Sequence, residues 1–327
     1  MNKIINWGIL GCGRIAHMFA EGLNTLHNAK LEAVASKTQN KAESFGKRFG
    51  VKNIYNNYEE LVENPAVNII YIATTHNFHY ENVILCLNHE KPVLCEKPFT
   101  LNAVQAEKII KIAQNKKIFL MEAMWTRFLP CIVKLNELLD MNVLGEIQHF
   151  KADFGIKKKL DPKERFFNIE LGGGALLDLG VYPISFARMI YKQSPSRIMS
   201  SAYIGETGVD EKSCYLFEYE NGQTAMLSSS NRLIMPHNAS IFGTKGYIEI
   251  PNFYHPSRMI LKLEDKQTKT IKIPYKSTGY NYEAKEVINC LNNGKIESKI
   301  MPLDETLEIM KTMDLLRSQW DFKYPRE

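Results

Sequence analysis

No stretch of these 327 residues comes near the roughly 18 consecutive apolar residues that a membrane span needs. The opening segment, Ile4-Ile5-Asn6-Trp7, runs straight into a strand pattern and offers no apolar signal core or cleavage site, so a secretory leader is not expected. Cys-x-x-Cys pairs are also missing. The six cysteines, Cys12, Cys86, Cys95, Cys131, Cys214 and Cys290, are scattered and fit a reducing cytoplasm, where lone thiols behave as small hydrophobes. One dense basic run exists, Lys157-Lys158-Lys159, but Asp161 and Glu164 follow it without interleaved aromatics and the net charge is only +5. That describes a solvated loop rather than a nucleic-acid surface. Internal repeats, low-complexity tracts and disordered linkers are absent. Hydrophobic residues make up 45%, enough for ordinary cores, and the length suits two domains of about 100–200 residues each.

What is present begins with a rhythm. Residues 5–10, 31–36, 69–73, 93–95 and 118–121 read as short strands. Helical patterns at 14–23, 40–49, 58–62, 78–87 and 103–115 separate them. Such alternation predicts a parallel sheet with right-handed crossovers, and the unbroken apolar run Ile69-Ile70-Tyr71-Ile72-Ala73 fits a strand buried on both faces. After Met121 the rhythm changes. A helix over 132–139 precedes a strand over 147–154, and Gly172-Gly173-Gly174 opens a helix reaching about Tyr191. Short strands with turn signals, Asn221-Gly222 the strongest, fill 196–273, and helical patterns at 282–291 and 304–320 close the chain. The expected fold is an α/β Rossmann domain over 1–122, then an α+β domain over 123–327 with an open, mainly antiparallel sheet. Strands that leave one face of that sheet uncovered predict a homodimer, or a homotetramer built from such dimers.

The first strand runs into Gly11-Cys12-Gly13-Arg14-Ile15-Ala16, and the first helix starts there. In that context the spacing is a dinucleotide fingerprint. Gly11 makes the turn, Gly13 lets main chain approach a pyrophosphate, and Ala16 stands where helix and strand pack; the free N–H groups of the helix start favour the phosphates. At the end of the second strand a NAD-preferring site would carry a carboxylate for the ribose 2′-hydroxyl. None occurs before Glu43; Ser36 and Lys37 stand there instead. A hydroxyl and an ammonium suit a 2′-phosphate, so NADP is expected over NAD, though NAD stays possible. Lys37 as an ordinary solvated lysine is the alternative. Thr74-Thr75-His76-Asn77-Phe78-His79 follows the next long strand on the same rim, which places Thr74, Thr75, Asn77 and His79 at the nicotinamide half of the groove. His76 and His79 have ligand spacing but lack a third partner in sequence, so no metal is expected.

Glu96-Lys97-Pro98 follows the run Pro92-Val93-Leu94-Cys95. In open α/β sheets ligands sit beyond the carboxyl ends of strands. A lysine there can polarise a carbonyl or stabilise an alkoxide beside a nicotinamide, and Pro98 keeps it out of helical backbone. Glu96 and Lys97 thus join the cofactor-contact set, as does Arg165. Farther on, Asp178 and Tyr182 are four residues apart and so share one helix face, and Gly180 between them keeps that face small. A carboxylate and a phenol there would complete a proton-transfer set with Lys97. The alternative is that Asp178 caps or pairs locally and Tyr182 is core.

The Gly11 loop, Glu96-Lys97-Pro98 and Gly-Gly-Gly-Ala-Leu-Leu-Asp-Leu-Gly together resemble the Gfo/Idh/MocA oxidoreductase family over nearly the whole chain. Met121-Glu122-Ala123-Met124-Trp125-Thr126-Arg127-Phe128, Gln319-Trp320 and Tyr324-Pro325 are similar to its branch of trans-dihydrodiol and NADP-dependent D-xylose 1-dehydrogenases. The resemblance implies catalytic roles for Lys97, Asp178 and Tyr182; the tyrosine stands where the wider family more often has histidine. It implies Trp125, Arg127, Phe154, Asp178 and Tyr182 as substrate-binding residues, with Phe253, Tyr254 and Tyr280 as further pocket aromatics. It also makes Lys97-Pro98 a candidate cis peptide. The expected activity is hydride transfer between nicotinamide and a hydroxyl-bearing carbon of a small sugar or cyclic diol. A cofactor-binding regulator of the same fold, without chemistry, is the reading of a different class.

Overall fold

The structure, a computed structural model, describes residues 3–325 and 327. Among these, β1 (Ile5–Leu10), β2 (Ala29–Ala35), β3 (Asn53–Tyr55), β4 (Ile69–Ile72), β5 (Val93–Glu96) and β6 (Leu120–Ala123) form a parallel sheet in the order β3-β2-β1-β4-β5-β6. Helices α1 (Arg14–Leu23), α2 (Gln39–Phe49), α3 (Tyr58–Glu63), α4 (His79–Asn88) and α5 (Ala103–Lys116) connect them. The chain moves outward from β1 to β3, then returns to place β4 on the other side of β1. This reversal is the switch point at which such sheets bind ligands. Every residue of β4 is buried, and Tyr71 in it stacks on Phe19 of α1 with ring centroids 3.7 Å apart. The three-residue edge strand β3 was not expected from the sequence; one aliphatic residue, Ile54, sets up no alternation to recognise.

A second sheet is made by β7 (Ile147–Gly155), β8 (Arg197–Ile204), β9 (Asp210–Glu218), β10 (Thr224–Ser230), β11 (Ala239–Gly243), β12 (Gly246–Ile250), β13 (Arg258–Leu263) and β14 (Lys269–Lys272), in the order β14-β13-β12-β11-β7-β10-β9-β8. Among the described residues β7 and β10 are its parallel pair; the other neighbours are antiparallel. Phe150, Ala152 and Phe154 of β7, with Ala225, Leu227 and Ser229 of β10, point to the buried face. There α7 (Val181–Tyr191) covers them, with Phe186 stacked on Phe150 at 5.5 Å. Residues of opposite parity face out, and Met226 is 53% exposed.

Helices α6 (Pro130–Asp140), α8 (Tyr280–Asn292) and α9 (Leu303–Ser318) complete the chain. It divides into two compact units. One holds the residues up to 100 with 104–128 and 276–307; the other holds 101–103, 129–275 and 308 onward. This differs from a single division after residue 122, because α8 belongs with the parallel sheet. Thr278 donates to the Met18 carbonyl at 2.7 Å. A Cβ on Gly22 of α1 would lie 2.9 Å from the Asn281 nitrogen. An amphipathic pattern shows that a helix has an apolar face but not which layer that face meets. No helix among the described residues is long and apolar enough to cross a membrane.

Candidate active site

Because all strands of the first sheet run the same way, their carboxyl ends share one rim. Gly11 leaves β1 with φ +91°, where a Cβ would press on the Ala73 carbonyl at 2.8 Å. Gly13, by contrast, is exposed, and a Cβ there would meet nothing within 4 Å. It caps α1 without a side-chain bond, and the first turn holds no acidic residue. The space and the free N–H groups fit a dinucleotide pyrophosphate. Arg14 beside it is exposed and Ile15 half-buried, while Cys12 is buried with its thiol 3.9 Å from the Ala35 carbonyl. Burial pushes that thiol up to about 11, with Lys41 pulling the other way.

At the end of β2, Ser36 is buried and its hydroxyl accepts from the Thr38 N–H at 3.2 Å, whereas Lys37 is exposed. The Lys37 ammonium lies 5.0 Å from the Phe78 ring centre and 5.6 Å from that of Tyr58. Lys41, exposed one helical turn farther on, adds a second positive charge that the sequence did not single out.

Thr74, Thr75 and Asn77 follow β4. Thr75 donates to Asn77 Oδ1 at 2.8 Å, and the Thr74 hydroxyl accepts from Asn82 at 3.0 Å. His79 is fully buried, with Nδ1 2.8 Å from the Pro98 carbonyl and Nε2 3.1 Å from that of Thr74. Burial pushes it down to about 4 despite these acceptors. The neutral ring has one N–H, and the shorter contact takes it. In this structure His79 bridges two rim segments, the one after β4 and the one after β5. His76 and His79 rings are 5.9 Å apart; no group of three metal-ligating side chains occurs among the described residues.

Lys97 leaves β5 through a cis Lys97-Pro98 bond. Its N–H donates to Glu96 Oε2 at 3.3 Å, and Tyr71 donates to Glu96 Oε1 in a short bond. Burial first, then the Glu96 charge, pushes the Tyr71 phenol well above its ordinary range. The same two causes raise Glu283 of α8, whose fully buried carboxyl has no hydrogen-bond partner among the described residues. Tyr71 and Glu283 were missed in the sequence. A phenol inside an aliphatic strand, which needs a partner once buried, was the signal for the first. Trp125 stacks on Tyr280 of α8 at 4.7 Å and 4°. Arg127 is buried and paired with Glu305, and it also donates to the Ile300 carbonyl at 3.4 Å.

In the second unit the helix after the glycines is not regular. Leu176–Gly180 form one π turn that passes into α7 at Val181. Asp178 and Tyr182 thus lie across a change of helix type, not on one uniform α face. Asp210 of β9 caps the turn, accepting from the Leu176 N–H at 2.7 Å. Burial pushes this carboxyl up to about 7 against the bonds it accepts. Gly180 serves the sheet beneath it, since a Cβ there would meet Tyr215 Oη at 2.8 Å and Ser229 Oγ at 3.0 Å. Tyr324 donates to the Gly173 carbonyl at 2.7 Å.

Asp178 is buried and held by Arg165 in a two-pronged bridge, Nη1 to Oδ1 and Nη2 to Oδ2, each 3.1 Å. Burial opposes the Arg165 charge, but Asp178 overcomes this by charge and hydrogen bonding, and the guanidinium holds its proton more tightly. Arg165, placed with the cofactor contacts from the sequence, is thus a partner of Asp178 here. Tyr182 meets Phe154 edge-on at 5.3 Å and Tyr254 at 5.9 Å, and Phe154 stacks on Tyr254 at 4.4 Å. Phe253 is fully buried against Phe186 and belongs to the core.

A glycine turn opening onto a free helix start, at the switch point of a parallel sheet with a lysine on the same rim, defines a Rossmann nucleotide-binding oxidoreductase. Residues 5–124 match the oxidoreductase family GFO/IDH/MocA in its NAD-binding Rossmann fold, and 132–249 match that family's C-terminal domain. The chain belongs to the Gfo/Idh/MocA oxidoreductase family. It is 36% identical to trans-1,2-dihydrobenzene-1,2-diol dehydrogenase of Xenopus laevis, covering 98% of this chain and 99% of that one. The Homo sapiens protein of the same name is 33% identical over 99% of each. Among solved structures, an aldose-aldose oxidoreductase from Caulobacter crescentus superposes with a TM-score of 0.89 at 21% identity over 97% of each chain. A 3-ketoreductase from Actinomadura kijaniata, solved with NADP, gives 0.87 at 24% identity over 96% of this chain and 97% of that one.

Proposed function

We propose that this oxidoreductase uses NADP to oxidise a hydroxyl-bearing carbon of a small sugar or cyclic diol, with Lys97 and Tyr182 handling the hydroxyl proton. The observation that carries this is the shared rim, where the bare Gly11–Gly13 turn and Lys97 stand at the ends of strands of one sheet. Bound nicotinamide supplies the hydride acceptor. Lys97 steadies negative charge on the substrate oxygen as the C–H bond breaks. Tyr182 accepts or relays the hydroxyl proton, a contribution typically worth about 10²–10⁴-fold. Asp178, fixed by Arg165, orients the substrate. Lys37 and Lys41 hold the 2′-phosphate. The ring faces of Phe154, Tyr254 and Trp125 accept the C–H face of a sugar or a planar ring. The relatives named as dihydrodiol dehydrogenases support the diol, and the aldose-aldose oxidoreductase neighbour supports the sugar. The protein works in the cytoplasm as a homodimer or a tetramer of such dimers, formed through the open face of the second sheet. The test is absorbance at the nicotinamide band with aldoses, inositols and cyclic trans-diols. NADP-linked turnover of at least one class is expected; cofactor binding without turnover of any of them would favour the regulator reading.

A further inference from the structure

His237 lies in the segment 231–238 that joins β10 to β11. Its φ is +59°, uncommon outside glycine though histidine is one of the residues enriched there. The main chain is tied on both sides: the His237 N–H donates to Asp153 Oδ1 at 2.9 Å, and its carbonyl accepts from the Phe253 N–H at 3.0 Å. The ring is fixed as well, with Nε2 2.6 Å from the Gly155 carbonyl. A carbonyl only accepts, so Nε2 carries the hydrogen, and Nδ1 of the neutral ring is left as an acceptor. Nδ1 makes no hydrogen bond with a described residue, and His237 is half-buried. Gly155 makes the arrangement possible. A Cβ there would lie 2.5 Å from Met235 Sδ and 2.9 Å from the Leu233 carbonyl, so a side chain would push the segment away.

The His237 ring stands edge-on to Phe154 at 4.9 Å and to Tyr254 at 5.6 Å, the two rings that also meet Tyr182. Ring faces alone bind a sugar or a flat diol without counting hydroxyls. A fixed acceptor among them reads a hydroxyl, and sites that hydrogen-bond a substrate group reject analogues lacking it. We propose that His237 is a specificity-determining residue whose Nδ1 accepts a hydrogen bond from a non-reacting substrate hydroxyl, so that the wall beside Tyr182 is built for a small polyhydroxylated sugar rather than a simple cyclic diol. This rests on the placement of Tyr182 at the reacting centre proposed above.

The experiment measures kcat and KM of the unaltered enzyme, His237→Phe and His237→Gln with D-xylose, its monodeoxy analogues and trans-cyclohexane-1,2-diol. His237→Phe keeps a ring without the acceptor. It is expected to raise KM for the full sugar about five- to tenfold, the scale of one neutral hydrogen bond, with kcat within about twofold. One monodeoxy analogue is expected to lose the same factor with the unaltered enzyme and nothing more on substitution. That is the coupling a double-mutant cycle isolates, and a merely structural role would not produce it. His237→Gln, which keeps a donor and an acceptor, is expected to restore part of the loss. Should His237→Phe fail to fold, His237→Gly, which has no side-chain acceptor and adopts the left-handed backbone readily, takes its place. Equal losses on every substrate, diol included, or no loss at all, would overturn the proposal. Turnover of the diol with no aldose accepted would overturn it while leaving the hydride chemistry standing. An absence of nicotinamide-linked turnover with both classes would sink the parent reading, and this one with it.

Discussion

Lys97 was legible because its neighbours constrain it: a short apolar strand before it and a proline after it leave few places for its side chain. The partner of Asp178 was not legible, because Arg165 sits 13 residues earlier across an irregular loop with no period to follow. If Lys97 and Tyr182 both touch the reacting oxygen they act as one unit, and the losses are not additive. Lys97→Met is expected to lower turnover by orders of magnitude with NADPH binding nearly intact, measured by fluorescence titration. Tyr182→Phe is expected to do the same, and the double variant to lose little beyond the worse single one. Near-normal turnover in Tyr182→Phe would make the tyrosine a wall residue. Cofactor choice is a second residue-scale matter. The unaltered protein is expected to bind NADPH more tightly than NADH, and Lys37→Asp to erase or reverse that order; equal or tighter NADH binding by the unaltered protein would contradict the role given to Lys37.

Elements built on a clear period, such as α1, α2 and β4, match what the sequence pattern predicts, whereas the turn carrying Asp178 does not. It is capped by Asp210, 34 residues away, which accepts from the Leu176 N–H, and a local pattern cannot register so distant a cap. The cap has a pH signature. Asp210 is raised to about 7 in the folded chain, against about 3.9 for an ordinary aspartate. The folded state thus binds this proton more tightly. The stability it contributes is whole below about pH 4, falls as pH rises through about 7 and is then constant. Glu122, also raised to about 7 by burial, acts with the same sign. Asp210→Asn imitates the protonated acid. Relative to the unaltered protein, its melting temperature is expected to be more favourable at pH 8 than at pH 5, by about 2–4 °C for each kcal/mol of the linkage. A pH-independent difference in calorimetry would exclude Asp210 as the titrating group.

Over the whole molecule, the open sheet face is the feature that calls for a partner. Met226 pairs across the sheet with Leu216 and Lys151, and the His149, Phe242 and Tyr247 rings lie on the same face. Met226 is exposed and Leu216 and the three rings are half-buried, an apolar patch that supports the assembly proposed above. Light scattering at micromolar concentration is expected to give a dimer or a tetramer. Met226→Glu is expected to shift it toward monomer with NADPH affinity unchanged, since the glycine turn and Lys37 belong to the other compact unit. A monomer for the unaltered protein would contradict the assembly.

By itself the sequence determined the parallel sheet, the dinucleotide turn, the lysine at a strand end and the mainly antiparallel second sheet. Each of these is written in neighbouring residues, as a period, a glycine spacing or a proline-fixed turn. Only the tertiary structure decided that α8 packs with the first sheet, that Glu96 is shared by Tyr71 and Lys97, and that Arg165 grips Asp178. It also decided that Arg127 is paired with Glu305, that His79 is fully buried, and that the His237 ring is locked by Gly155. Each of these joins residues distant in sequence or separated by irregular backbone. Burial, hydrogen-bond pairing and charge pairing settle such contacts, and none of the three has a period along the chain.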